Sequence, residues 1–242
     1  MSVQLGGAVV TGVVVIALAW MIVLRGTDRA QRRRGIGTLI VGLLAGLPVG
    51  GIMLVLTLGT PELLGPLQTA LYGGFVSSAL PAELAKLVIL ALIARRAARG
   101  RTHRGFDTFD GVRLGAAVAL GLAAVESAFY LAVEGGWAST VLRAFPGVLI
   151  QTATGAMIGV AFALRGVRSA ERSGVWPAWI QAVLLHGAYS FAVLGMIEVS
   201  YLQMVTSSNL TPIIAVLFVV LLIAALIASY QLWRVFRLAR SD

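Results

Sequence analysis

Five side chains able to do chemistry stand where the chain is otherwise apolar. Glu83 and Lys86 lie in Ser78-Ala-Leu-Pro81-Ala82-Glu83-Leu84-Ala85-Lys86, between Leu71-Tyr-Gly-Gly-Phe-Val and Leu87-Val-Ile-Leu-Ala-Leu-Ile. Glu126 ends Gly121-Leu-Ala-Ala-Val-Glu126. Gln151 has Thr152 and Thr154 beside it, and His186 sits in Val183-Leu-Leu-His186-Gly-Ala-Tyr189. A charge buried at membrane depth costs at least about 2.5–3.5 kcal/mol, so such residues default to a functional reading. Glu83 and Lys86 are three apart and share a helix face, where each shields the other.

Two carboxylates and an imidazole are competent metal ligands that leave one position open for water. The same groups without a metal activate water directly: a buried glutamate serves as general base, while histidine or lysine stabilises the oxyanion. Both schemes are hydrolyses, and within a membrane the bond to cut is a peptide. The rival chemistry is transport, because carboxylates and histidine in helices also form proton relays. Each residue has an ordinary explanation when taken singly: a structural ion pair for Glu83 and Lys86, a packing carboxyl for Glu126, an interhelical hydrogen bond for His186. Their shared depth favours a site.

These groups need helices to hold them. Of 242 residues, 59% are hydrophobic and 12% charged, and the mean hydropathy is +0.93. A soluble domain carries about 25% charged residues, so the composition is that of a polytopic membrane protein. Seven spans of the ~20 apolar residues a crossing needs can be drawn, at about 5–24, 36–58, 69–94, 111–133, 141–164, 176–197 and 213–233. Met1-Ser-Val-Gln-Leu lacks a positive n-region and runs straight into the first of them, as a span rather than a signal peptide. Gly46, Pro48, Gly50 and Gly51 predict a kink in the second span, Asp110 an N-cap for the fourth, and 198–212 a polar loop.

The net charge of +9 is the balance of 19 basic and 10 acidic residues, and among the basic ones Lys86 alone is lysine. The arginines cluster in alternate short loops (Arg25 to Arg34, Arg95 to Arg104, Arg165 to Arg172) and in the tail from Arg234. That is the positive-inside pattern. It gives an N-out, C-in topology, assigns the arginines to anionic lipid and excludes nucleic acid as the partner. Cysteine is absent, which excludes disulfides, thiolate metal sites and a cysteine nucleophile. The reading is an all-α bundle, residues 1–242 forming a single integral membrane domain. Measured at ~1.5 Å per residue from the basic ends, Glu83, Gln151 and His186 fall near mid-depth, and Glu126 about one turn further out. Gly111, Gly115 and Ala119 line up with Glu126 on the fourth span, and Gly155 and Gly159 below Gln151 on the fifth. Such small-residue stripes let membrane helices approach closely.

Three blocks resemble the PrsW family of intramembrane proteases. Pro81-Ala82-Glu83-Leu-Ala-Lys86 is similar to its Glu-Glu-x-x-Lys motif. Phe106-Asp107-Thr-Phe-Asp110-Gly111 through Glu126-Ser127-Ala-Phe-Tyr130 looks like its second block, and His186-Gly187-Ala188-Tyr189 like its late His-Gly block. The resemblance covers about 70–195. It implies a multi-pass protein of the bacterial cytoplasmic membrane that cuts a single-span membrane protein such as an anti-sigma factor. It also implies that Glu83, Glu126 and His186 bind or activate water, with Zn2+ as the candidate metal, and that Lys86 orients or balances charge. Three positions depart from the pattern: Ala82 replaces the first Glu of the pair, Ser127 an Asn, and Gln151 a histidine. Gln151 can line the site and donate a hydrogen bond, yet is a poor zinc ligand. The departures leave a second reading, a protease-like membrane binding protein that does not cut, and the proton-relay chemistry leaves a third, a small proton-coupled carrier.

Overall fold

Sequences that are apolar on most faces, interrupted by glycine and edged by arginine, form long helices here. A computed structural model describes residues 29–59, 65–99, 107–134, 137–167 and 174–241. In chain order the elements are α1 (Arg29–Leu58), α2 (Pro66–Tyr72), a π-helical segment (Gly73–Ala79), α3 (Leu80–Arg99), α4 (Thr108–Glu134), α5 (Trp137–Val167), α6 (Val175–Thr206) and α7 (Thr211–Ser241). The described residues contain no strand.

Six stretches are long and apolar enough to cross a membrane: Ile36–Leu58, Pro66–Ala97, Thr108–Ser127, Pro146–Leu164, Val175–Thr206 and Thr211–Arg237. They match the second to seventh expected spans. The first, at 5–24, lies outside the described residues. The protein is therefore an all-helical, multi-pass membrane protein.

Burial ranks the helices. The most apolar window of α5 is 83% buried and that of α4 72%, against 28% for α1 and 22% for α7. So α4 and α5 form the centre of the bundle, while α1 and α7 present faces such as Leu44, Leu47, Val216 and Leu226 to lipid. Between membrane helices the driving force is close packing rather than water exclusion. The α4–α5 pair achieves it through the glycine stripes: a Cβ added at Gly115 would lie 2.1 Å from the Gly155 carbonyl oxygen. No side chain larger than hydrogen fits there, so the two backbones touch one turn below Gln151.

Three local features differ from the sequence expectations. The start of α4 is capped by Asp107, whose Oδ1 accepts the Asp110 backbone N–H at 2.7 Å, and Asp110 lies inside the first turn. The two aspartates are equally good caps by type, and the helix begins at the earlier one. The helix α6 continues through most of the expected loop to Thr206, since Val199 and its neighbours still pack inward, and it stops at Ser207 with a left-handed φ of 53°. The third span is not one α-helix, because Gly73–Ala79 adopts π geometry. The widened turn lies where Gly74 meets α6, its Cα so close that an added Cβ would be 2.5 Å from the Phe191 nitrogen.

Candidate functional site

The π segment ends at the site. A π turn adds a residue to the helical circuit and often marks function. Here it delivers Ser78, fully buried, to the same interior space as Glu83 and Lys86 from the first turns of α3. Glu126 enters from α4, Gln151 and Thr154 from α5, and His186 and Ser190 from α6. On α6 the spacing of four between His186 and Ser190 puts both on one face; on α5 the spacing of three does the same for Gln151 and Thr154.

Glu83 anchors one side. Its Oε1 accepts from Lys86 Nζ at 2.6 Å, from His186 Nδ1 at 2.9 Å and from the Thr154 hydroxyl at 3.1 Å. Lys86 Nζ also donates to Thr154 Oγ1 at 2.8 Å and to the Gln151 carbonyl at 3.4 Å. Lys86 is therefore fully buried yet has three acceptors, as a buried ammonium requires.

Glu126 forms the other side. Ser78 donates its hydroxyl to Glu126 Oε1 at 3.0 Å, and the Gln151 side-chain amide donates to Glu126 Oε2. His186 stands between the two carboxylates. Its Nδ1 faces Glu83, and its Nε2 faces Glu126 Oε1 at 3.6 Å, Gln151 Nε2 at 3.2 Å and Ser78 Oγ at 3.5 Å. An amide NH₂ only donates, so this network assigns the lone pair to His186 Nε2 and the proton to Nδ1. The ring is held by Glu83 with its basic nitrogen aimed at Glu126. Two acceptors, Glu83 Oε2 and Gln151 Oε1, are buried without a hydrogen-bond partner among the described residues.

The structure thus gathers Glu83, Lys86, Glu126, Gln151 and His186 from four helices into one network. Ala82 is buried beside them but brings no functional group. Ser78 and Ser190, whose hydroxyls lie 3.4 Å apart, were not singled out from the sequence. The signal for Ser190 was available in its four-residue spacing from His186. Nothing in the sequence marks the π turn that carries Ser78.

A single ion held by Glu83, Glu126 and His186 together does not fit this arrangement. The two carboxylates lie against opposite ring nitrogens, and Lys86 occupies the Glu83 oxygen that faces the ring. An ion on the Nε2 side would find His186 and Glu126 as strong donors, with an amide and hydroxyls beside them, fewer than the three protein ligands usual for catalytic zinc. Among the described residues no group of three or more His, Cys, Asp or Glu is placed to hold a metal.

Residues 5–226 of the 242 match the profile described as PrsW family intramembrane metalloprotease. No curated protein and no solved structure matches the chain. With the match running over nearly the whole sequence, and with Glu83, Lys86, Glu126 and His186 of the three resembling blocks meeting in one network, the chain belongs to the PrsW family of intramembrane proteases.

Proposed function

We propose that this chain hydrolyses a peptide bond in a membrane-anchored substrate, a single-span protein such as an anti-sigma factor, in the bacterial cytoplasmic membrane. The observation that carries the reading is the pairing of Glu126 with His186 Nε2, 3.6 Å apart, inside a lipid-shielded bundle. A water bound alongside the pair, rather than in the gap, has two proton acceptors to draw on.

In this reading Glu126 and His186 are the catalytic pair. One takes the proton of the attacking water, the oxygen adds to the scissile carbonyl, and the proton passes to the leaving amine. Glu83 holds the imidazole by Nδ1 and stabilises it when it is protonated. Lys86 balances the Glu83 charge, and the Gln151 amide, donating to both Glu126 and His186, holds the catalytic pair in place. The family description names a metal, and Zn2+ bound here would act as a Lewis acid on the carbonyl or the water. The donor set does not fit that ion, so no step is assigned to it.

The test uses the full chain in proteoliposomes with a single-span anti-sigma factor as substrate, and reads products by mass spectrometry. Glu126→Ala and His186→Ala lower cleavage by about 10²–10⁴-fold, the contribution of a positioned acid–base group, while both variants elute and melt as folded protein. Glu126→Gln serves as the shape-preserving check. Wild-type rates in either alanine variant contradict the proposal. Capture of the substrate by wild-type protein with no product identifies instead a binding protein, the reading that Ala82 and Gln151 motivate.

A further inference from the structure

Among the described residues, the polar network meets open space beside Glu126. The Glu126 side chain is 14% exposed, whereas those of Glu83, Lys86 and His186 are at most 1% exposed. The opening beside Glu126 and Gln151 is a pocket of about 20 Å³, walled by Ala123, Ser127, Gly147 and Tyr189. A cavity needs about 10–15 Å³ to hold one water, so this one takes a single water-sized group. A hydrogen or a methyl fits. An isobutyl group or an aromatic ring does not.

Gly147 sets that limit. A Cβ there would lie 2.7 Å from the Tyr189 hydroxyl oxygen and 3.3 Å from Tyr189 Cζ. The α5 backbone is thus pressed against the α6 tyrosine, and any side chain at 147 must push into the pocket or displace the ring. On the proteolytic reading above, we propose that this pocket receives the substrate side chain next to the scissile bond. It confines cleavage to bonds flanked by glycine or alanine, and Gly147 with Tyr189 determines the specificity. A backbone whose adjacent side chain sits in the pocket is brought to Glu126 and Gln151, the two groups that share the opening with the reacting carbonyl.

The experiment reconstitutes the full chain with single-span host helices that differ only in a central Ala-Ala or Leu-Leu pair. Alanine and leucine are both strong helix formers, so a difference reports the pocket rather than unwinding of the substrate. Cut positions and rates are read by mass spectrometry. The expected result is Ala-Ala cleaved at least tenfold faster than Leu-Leu. Gly147→Ala lowers Ala-Ala cleavage at least tenfold. Where Gly147→Ala does not elute as folded protein, Ser127→Leu fills the pocket from α4 and is expected to cause the same loss. Equal rates on the two hosts, or undiminished cleavage in the filled variants, overturn the specificity proposal and leave the protease reading standing. No product from any host overturns both.

Discussion

Replacing Lys86 with methionine tests the side of the network to which the proposed function gives no bond-making step. Methionine keeps most of the stem and removes the ammonium. In the native protein that ammonium lies 2.6 Å from Glu83 Oε1, 2.8 Å from Thr154 Oγ1 and 3.4 Å from the Gln151 carbonyl, with neither Lys86 nor Glu83 exposed. Its loss strands a carboxylate whose second oxygen already lacks a partner. Removing one member of a buried ion pair costs about 3–5 kcal/mol, because the surviving charge remains desolvated. The double variant Lys86→Met with Glu83→Gln removes both charges and keeps the hydrogen bonds to Thr154 and His186 possible. Replacing a whole buried pair by neutral groups is often near-neutral, so the double variant is expected to recover most of the loss. The assay is reversible unfolding in mixed micelles, followed by tryptophan fluorescence for the four proteins of the cycle. A single variant that costs under about 1 kcal/mol, or a double variant less stable than the single, refutes the assignment of Lys86 as the counter-charge of Glu83.

Three further outcomes follow from the same geometry. Purified wild-type protein is expected to hold well under one zinc per chain by elemental analysis and to keep its activity in a chelator, because the strong donors sit on opposite faces of the imidazole; stoichiometric zinc or chelator inactivation contradicts this. Gly115→Leu is expected to destabilise the bundle by about 3 kcal/mol or more, as overpacking forces the α4 and α5 backbones apart at a contact where even a Cβ would sit 2.1 Å from a carbonyl oxygen; the measure is the unfolding midpoint in detergent. The chain has no cysteine, so single cysteines at Ser208 and Arg237 report topology: a membrane-impermeant thiol reagent added to intact cells labels the first and not the second, and the reverse pattern contradicts the positive-inside assignment.

What the sequence disclosed and what it hid have separate physical causes. Ionisable groups are so costly in hydrocarbon that Glu83, Lys86, Glu126 and His186 stand out by position alone. Glycine stripes are legible for a related reason: in a membrane they have little use except close approach, and Gly111, Gly115, Gly155 and Gly159 do line the α4–α5 contact. Features that depend on a choice between near-equals were not legible. Asp107 and Asp110 are both good caps, and only the packed helix selects the first. The π turn at Gly73–Ala79 has no compositional mark, and the close contact found beside it, Gly74 on Phe191, joins residues more than a hundred positions apart.

The orientation of His186 was hidden as well, and it decides what each carboxylate does. Sequence spacing places two glutamates and a histidine at similar depth but assigns no nitrogen to either carboxylate. Had both carboxylates faced the same nitrogen, the three groups would have formed a ligand set. With Glu83 on Nδ1 and Glu126 near Nε2, the ring separates them instead. Glu83 has Lys86, Thr154 and His186 on a single oxygen and is fully buried, which suits a fixed counter-charge. Glu126 has the neutral donors Ser78 and Gln151 and borders the opening, which suits a group that exchanges protons with what enters. On the proposed reading the lysine–glutamate pair supports the reaction without taking part in it. The departure at Gln151 acquires a physical meaning on the same terms: an amide there can donate to Glu126 and to His186 Nε2 at once, fixing the relative placement of the two groups proposed to share the water.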